Sequence, residues 1–116
     1  MLSKGDILSR EDLTRELVDV PEWDGQVYVR TMTGAERDAF EMALSNGGTG
    51  RVTMTNIRAR LAALTVCDEK GKRLFEEGDA AALGGKSAAA LDRIFAVAQR
   101  LNKIGADDVK ALEKNS

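Results

Sequence analysis

The chain has 116 residues, 43% apolar and 31% charged, which is too apolar for wholesale disorder and long enough for one modest core. Its 17 basic residues face 19 acidic ones, for a net charge of −2, without the basic excess that drives binding to a nucleic-acid backbone. There is no histidine and a single cysteine, Cys67, which excludes His-centred triads, imidazole metal sites and an intrachain disulfide.

Ser9-Arg10-Glu11-Asp12 sets a candidate N-cap three residues ahead of a carboxylate and predicts a short helix or turn before the first strand. Val18 and Val20 alternate with polar neighbours, as do Val27 and Val29, so two half-buried strands are predicted across the turn Pro21-Glu22-Trp23-Asp24-Gly25. Thr33 can cap the next helix while Glu36 reaches back to the Thr33 amide. That helix would carry Ala39, Phe40, Ala43 and Leu44 on one face and stop at Asn46-Gly47-Gly48-Thr49-Gly50, where glycine disfavours helix.

A further helix is predicted near Thr55, with Ile57, Leu61 and Leu64 at helical spacing. Leu64-Thr65-Val66-Cys67 and Lys72-Arg73-Leu74-Phe75 flank Asp68-Glu69-Lys70-Gly71 and read as a second hairpin with glycine in the left-handed turn position. The border between helix and hairpin is open to about two residues. Asp79 is the expected cap of an Ala-rich turn ending at Gly84-Gly85. Ser87 opens the longest helix, whose stripe is Leu91, Ile94, Phe95, Ala98 and Leu101. Gly105 is expected to interrupt it, and residues 106–114 can form a last helix with Asp107 and Asp108 at its start and Lys114 at its end. The expected fold is α+β: a mostly helical single domain over residues 1–116, with a small antiparallel sheet near the N-terminus that the Val66/Leu74 hairpin would extend.

Gly84-Gly85-Lys86-Ser87 before a helix has the look of a phosphate loop, but the required first glycine is Ala80 and the preceding segment reads as helix. A glycine helix stop and a serine N-cap account for it. Glu76, Glu77 and Asp79 lack the alternating spacing of a calcium loop, and no metal or cofactor is expected. Cys67 has no histidine to activate it and reads as a small half-buried strand residue. Arg51, Arg58 and Arg60 gather positive charge that suits an acidic protein surface, or a nucleic acid less well because acidic residues elsewhere outweigh it and no aromatic interleaves it, or are simply solvated. Trp23 either plugs the hairpin onto the helices or stands out as a partner anchor. These four residues are the candidate partner contacts; no catalytic residue is assigned.

The run from Val18 to Asp38 resembles the small tail assembly chaperones of long, non-contractile-tailed (siphovirus-type) bacteriophages. Its features are a valine-rich strand, Pro21-Glu22-Trp23, the Gly25 turn, a second strand ending in Arg30, and Thr33-Gly34-Ala35-Glu36-Arg37. Asp68 to Phe75 and Leu101-Asn102-Lys103-Ile104 are similar to the same family. The resemblance implies a non-enzymatic chaperone that coats the tape measure protein, keeps it soluble and recruits the major tail tube protein, which displaces it. It implies action in the host cytoplasm and absence from the mature virion; no nucleic-acid or membrane partner is expected, from the net charge and the lack of a long apolar run.

Met1-Leu2-Ser3-Lys4-Gly5-Asp6 lacks a signal-peptide apolar run, and no stretch approaches the roughly 20 apolar residues of a membrane span. Self-association into a homo-oligomer is expected, since several apolar helix faces exceed one thin core and a filament-like partner is best coated by touching copies. Glu113-Lys114-Asn115 could be encoded by an adenine run that permits ribosomal slippage, as in many members of the resembled family, or be a plain charged helix end. The alternatives in function are a structural phage tail or connector component, which would need more β-sheet, and a small protein-binding adaptor.

Overall fold

The computed structural model describes residues 1–45 and 54–104. In chain order these form α1 (Lys4–Ser9), β1 (Arg15–Val20), β2 (Gly25–Arg30), α2 (Gly34–Ser45), α3 (Met54–Thr65), β3 (Val66–Cys67), α4 (Ala80–Leu83) and α5 (Ala88–Leu101). The architecture is α+β with helices in the majority, as the sequence predicts.

The strands form an antiparallel sheet in the order β1-β2-β3. Val18 faces Val27 and Leu17 faces Tyr28 in the first pair, and Val66 faces Val29 in the second. Because side chains alternate along a strand, Val18, Val20, Val29 and Val66 share one buried face. Phe40 of α2, Ile57 and Leu61 of α3, and Leu91 and Ile94 of α5 complete the core. Ala59, Ala62 and Ala63 on α3 and Ala90 and Ala98 on α5 are also buried; side chains this small let helices and sheet approach closely. The β1–β2 connection is a 3₁₀ turn over Pro21–Trp23, closed by Asp24 at φ 54°, a left-handed conformation that aspartate accepts more readily than most residues.

The predicted caps fare unevenly. Thr33 and Glu36 form the expected box, with Glu36 N donating to Thr33 Oγ1 at 3.1 Å and Thr33 N donating to Glu36 Oε1 at 2.9 Å. Ser87 caps α5 by accepting from Ala90 N. Ser9, in contrast, is the last residue of α1 and not a cap. The box there is Ser3 with Asp6, whose reciprocal bonds of 3.1 and 3.0 Å satisfy the amides of both residues at the start of the helix. Asp79 occupies the N-cap position of α4 without capping it; its carboxylate turns back to accept from Glu76 N at 2.8 Å.

The second hairpin is shorter than predicted. Leu64 and Thr65 belong to α3, and β3 starts directly at Val66. The buried Thr65 is at home in the last helical turn because its hydroxyl donates to Leu61 O at 2.7 Å. The return arm is a single bridge, Cys67 to Arg73, plus Leu74 N donating to Val66 O. Gly71 takes the expected left-handed position at φ 85°. The predicted helix stop at 46–50, the interruption at Gly105, the last helix over 106–114 and Glu113-Lys114-Asn115 lie outside the described residues, as does Arg51.

Candidate interaction surfaces

The residues that carry the sequence signature converge on two polar knots. In the first, Arg30 at the end of β2 donates through Nη2 to Glu36 Oε2 at 2.7 Å, with the Arg30 side chain 8% exposed and that of Glu36 15%. Arg73 Nη1 approaches the same oxygen at 3.5 Å, and its Nε donates to Ala63 O at 3.2 Å. One carboxylate thereby joins the sheet, the start of α2 and the hairpin arm beside α3. A buried charge is tolerated only when paired and hydrogen-bonded, and Glu36 also keeps its capping bond to Thr33.

In the second knot, Asn102 at the end of α5 accepts from Met32 N at 2.7 Å and donates to Ala98 O at 2.9 Å. Its own carbonyl accepts from Arg37 Nη1 at 3.0 Å. The chemistry of both knots is structural: they fix the turn between β2 and α2 against the far end of the chain.

The candidate contacts occupy separate places. Trp23 is half-buried at the tip of the β1–β2 hairpin, against the core. Beside it, Glu22 accepts from Arg93 Nε at 2.8 Å, and that bond holds the Glu22 carboxyl below its ordinary value. Arg58 Nε lies 2.7 Å from Asp92 Oδ1 on α5, at ion-pair distance but outside hydrogen-bond geometry. Arg60 is exposed and lines a shallow depression with Ala39, Phe40, Ala43 and Ala80. Helix positions two apart do not face each other, so Arg58 and Arg60 point to different surroundings.

Cys67 is buried in β3 rather than half-exposed, and burial pushes its thiol above the ordinary value, the reverse of a reactive cysteine. Asp68 accepts from the amides of Lys72 and Lys70, which lowers its carboxyl; this is turn chemistry. Among the described residues no group of three or more Cys, Asp and Glu side chains is placed to hold a metal. Gly84-Gly85-Lys86 follows the helix α4 rather than a strand, so the phosphate-loop reading has no structural counterpart.

What stands out is apolar exposure. α1 contains no buried residue, and Leu2, Ile7 and Leu8 are 61%, 57% and 75% exposed. Leu17 and Leu74 are exposed on the side of the sheet away from the core, where they line an open groove of about 670 Å³ with Gln26 and Tyr28. Strand and helix periodicity assigns apolar residues to a core, so it does not mark these side chains as exposed. Their signal was a surplus: Leu2, Ile7 and Leu8 had no place in any predicted apolar stripe. Clustered exposed apolar side chains mark protein–protein contact. Among the described residues no helix is long and apolar enough to cross a membrane.

A family model described as phage tail assembly chaperone matches residues 6–115 of the chain. No curated protein and no solved structure matches it.

Proposed function

The chain belongs to the phage tail assembly chaperone family, and on that premise we propose that it coats the tape measure protein, keeps it soluble and yields it to major tail tube subunits. This work takes place in the host cytoplasm, by binding rather than catalysis, and the protein leaves before the virion is complete. Copies of the chain associate with one another while doing so.

Beyond the family match, the observation that supports this reading is the exposed apolar set: Leu2, Ile7 and Leu8 around α1, and Leu17 and Leu74 on the open sheet face. A tape measure is a long helix-rich chain with apolar stripes, and an apolar helix face docks such a surface without a deep pocket. Each contact is small, so single copies dissociate readily, while many copies side by side hold firmly. That balance suits a coat that another protein must displace.

The test is co-expression with the tape measure protein of the same phage. Soluble tape measure that co-purifies with this chain, and loses it when purified tube protein is added, is the expected result. Tape measure that is equally insoluble with and without the chain would remove the proposal.

A further inference from the structure

Six cations that are scattered through the sequence meet at one corner of the fold. Arg10, Arg15 and Lys70 stand around one basin of about 290 Å³, and Lys72 and Arg73 around an adjoining basin of about 510 Å³. Arg30 lines both, and so does Gly71. At φ 85° and without a side chain, Gly71 leaves the saddle between the basins low. The carboxylates among the lining residues are Glu11, Asp12 and Glu76, half as many as the cations, in a chain whose net charge is −2.

The floor of this groove is short of anionic partners. Arg30 is 7% exposed, and it shares a single Glu36 oxygen with Arg73. Arg30 Nε and Arg73 Nη2 are both buried without a hydrogen-bond acceptor among the described residues. A buried charged donor left unsatisfied is costly, so the site favours an additional negative charge close by. Leu13 on one side and Phe75 on the other give each basin an apolar wall.

We infer that this groove binds an acidic segment of a partner protein, with carboxylates over Arg30, Lys70 and Lys72 and apolar side chains against Leu13 and Phe75. The two adjoining basins, of about 290 and 510 Å³, offer more space than a single small anion fills and suit a peptide. The apolar walls at Leu13 and Phe75, which a sugar-phosphate backbone does not use, favour a peptide over a nucleic-acid backbone. The inference concerns ligand chemistry alone and stands whether or not the tape measure is the partner.

The test uses the full chain and a fluorescein-labelled peptide that alternates glutamate and leucine, followed by anisotropy at low salt. Saturable binding is expected, weakened about tenfold or more by the rim double variant Lys70→Glu/Lys72→Glu, as loss of charge-assisted hydrogen bonds implies. Lys86→Glu, an exposed lysine outside the groove, should bind as the parent does. The double variant should instead gain affinity for a lysine–leucine peptide, a readout that mere loss of folding could not produce. No saturable binding, or binding that the rim variant leaves unchanged, overturns the inference. Tighter binding of a single-stranded oligonucleotide than of the acidic peptide overturns it too.

Discussion

Asn102 Oδ1 accepts a hydrogen bond from Met32 N at 2.7 Å, across 70 residues of chain. The same side chain donates to Ala98 O at 2.9 Å and to Arg30 O at 3.4 Å, so its donor and acceptor sides are both engaged. Met32 is itself largely buried. The end of α5 and the turn leading into α2 are therefore one unit.

Replacing Asn102 tests that unit. Asn102→Ala should destabilise the protein by about 2 kcal/mol, the scale of leaving a buried amide unsatisfied. Asn102→Asp should be no better than alanine, because a carboxylate can accept from Met32 but places its second oxygen against the carbonyls of Ala98 and Arg30. Urea unfolding followed by far-ultraviolet circular dichroism measures both. An Asp variant as stable as the parent would show that the two donor bonds contribute nothing.

Glu36 is the second point of weakness. Glu36→Gln removes the only carboxylate that the buried Arg30 contacts among the described residues, leaving two guanidinium groups facing each other. A loss of about 3 kcal/mol is expected, as for one partner of a buried ion pair. Arg30→Met combined with Glu36→Gln should recover part of it, because the more deeply buried guanidinium is then gone and only Arg73, whose side chain is 25% exposed, is left without its carboxylate. If the double variant is less stable than Glu36→Gln by the full cost of a second lesion, the two residues act independently and the knot is misread.

The contrast between these residues explains what the sequence could convey. Thr33 and Glu36 announce themselves because a capping box is local, three residues wide. The strands and α5 follow from periods of two and 3.6. By comparison, Glu36 meets Arg73 across 37 residues, and nothing in either neighbourhood signals the partner. The same holds for the cationic corner, whose members lie on the α1 end, β1, β2 and the hairpin turn. The sequence instead drew attention to Arg51, Arg58 and Arg60, which are near in sequence; of these, Arg58 has Asp92 beside it and Arg60 lies elsewhere. The α3 boundary was ambiguous for a physical reason: Thr65 is a strand-type residue that a hydroxyl bond to Leu61 O holds in the helix.

Acid should act on the hairpin turn through Asp68. Its carboxyl is held below the ordinary value by the amide of Lys72 first, and that of Lys70 after it. A folded-state value below the unfolded one stabilises the native state above the unfolded value of about 4, and this contribution is lost as pH falls through the folded value. Asp68→Ala should therefore melt earlier than the parent at neutral pH, and the gap should narrow below about pH 4. A gap of constant size from pH 7 to about pH 2 would mean that the charge of Asp68 has no part in the turn.

The last prediction separates folding from function at α1. No residue of Lys4–Ser9 is buried, and so short a helix has little stability of its own. Replacing Ile7 and Leu8 by serine should leave the melting temperature of the rest of the fold within about one degree, since surface substitutions away from packed features change stability little. If these side chains contact the tape measure, the same double variant should fail to keep it soluble on co-expression. Self-association, read by sedimentation velocity across a concentration series, should be reported for the same two proteins. Loss of tape measure binding with the oligomer intact assigns α1 to the partner; loss of both assigns it to contacts between copies. A variant that melts much earlier would show that Ile7 and Leu8 support the fold, and the exposed leucines would then lose their standing as a contact surface.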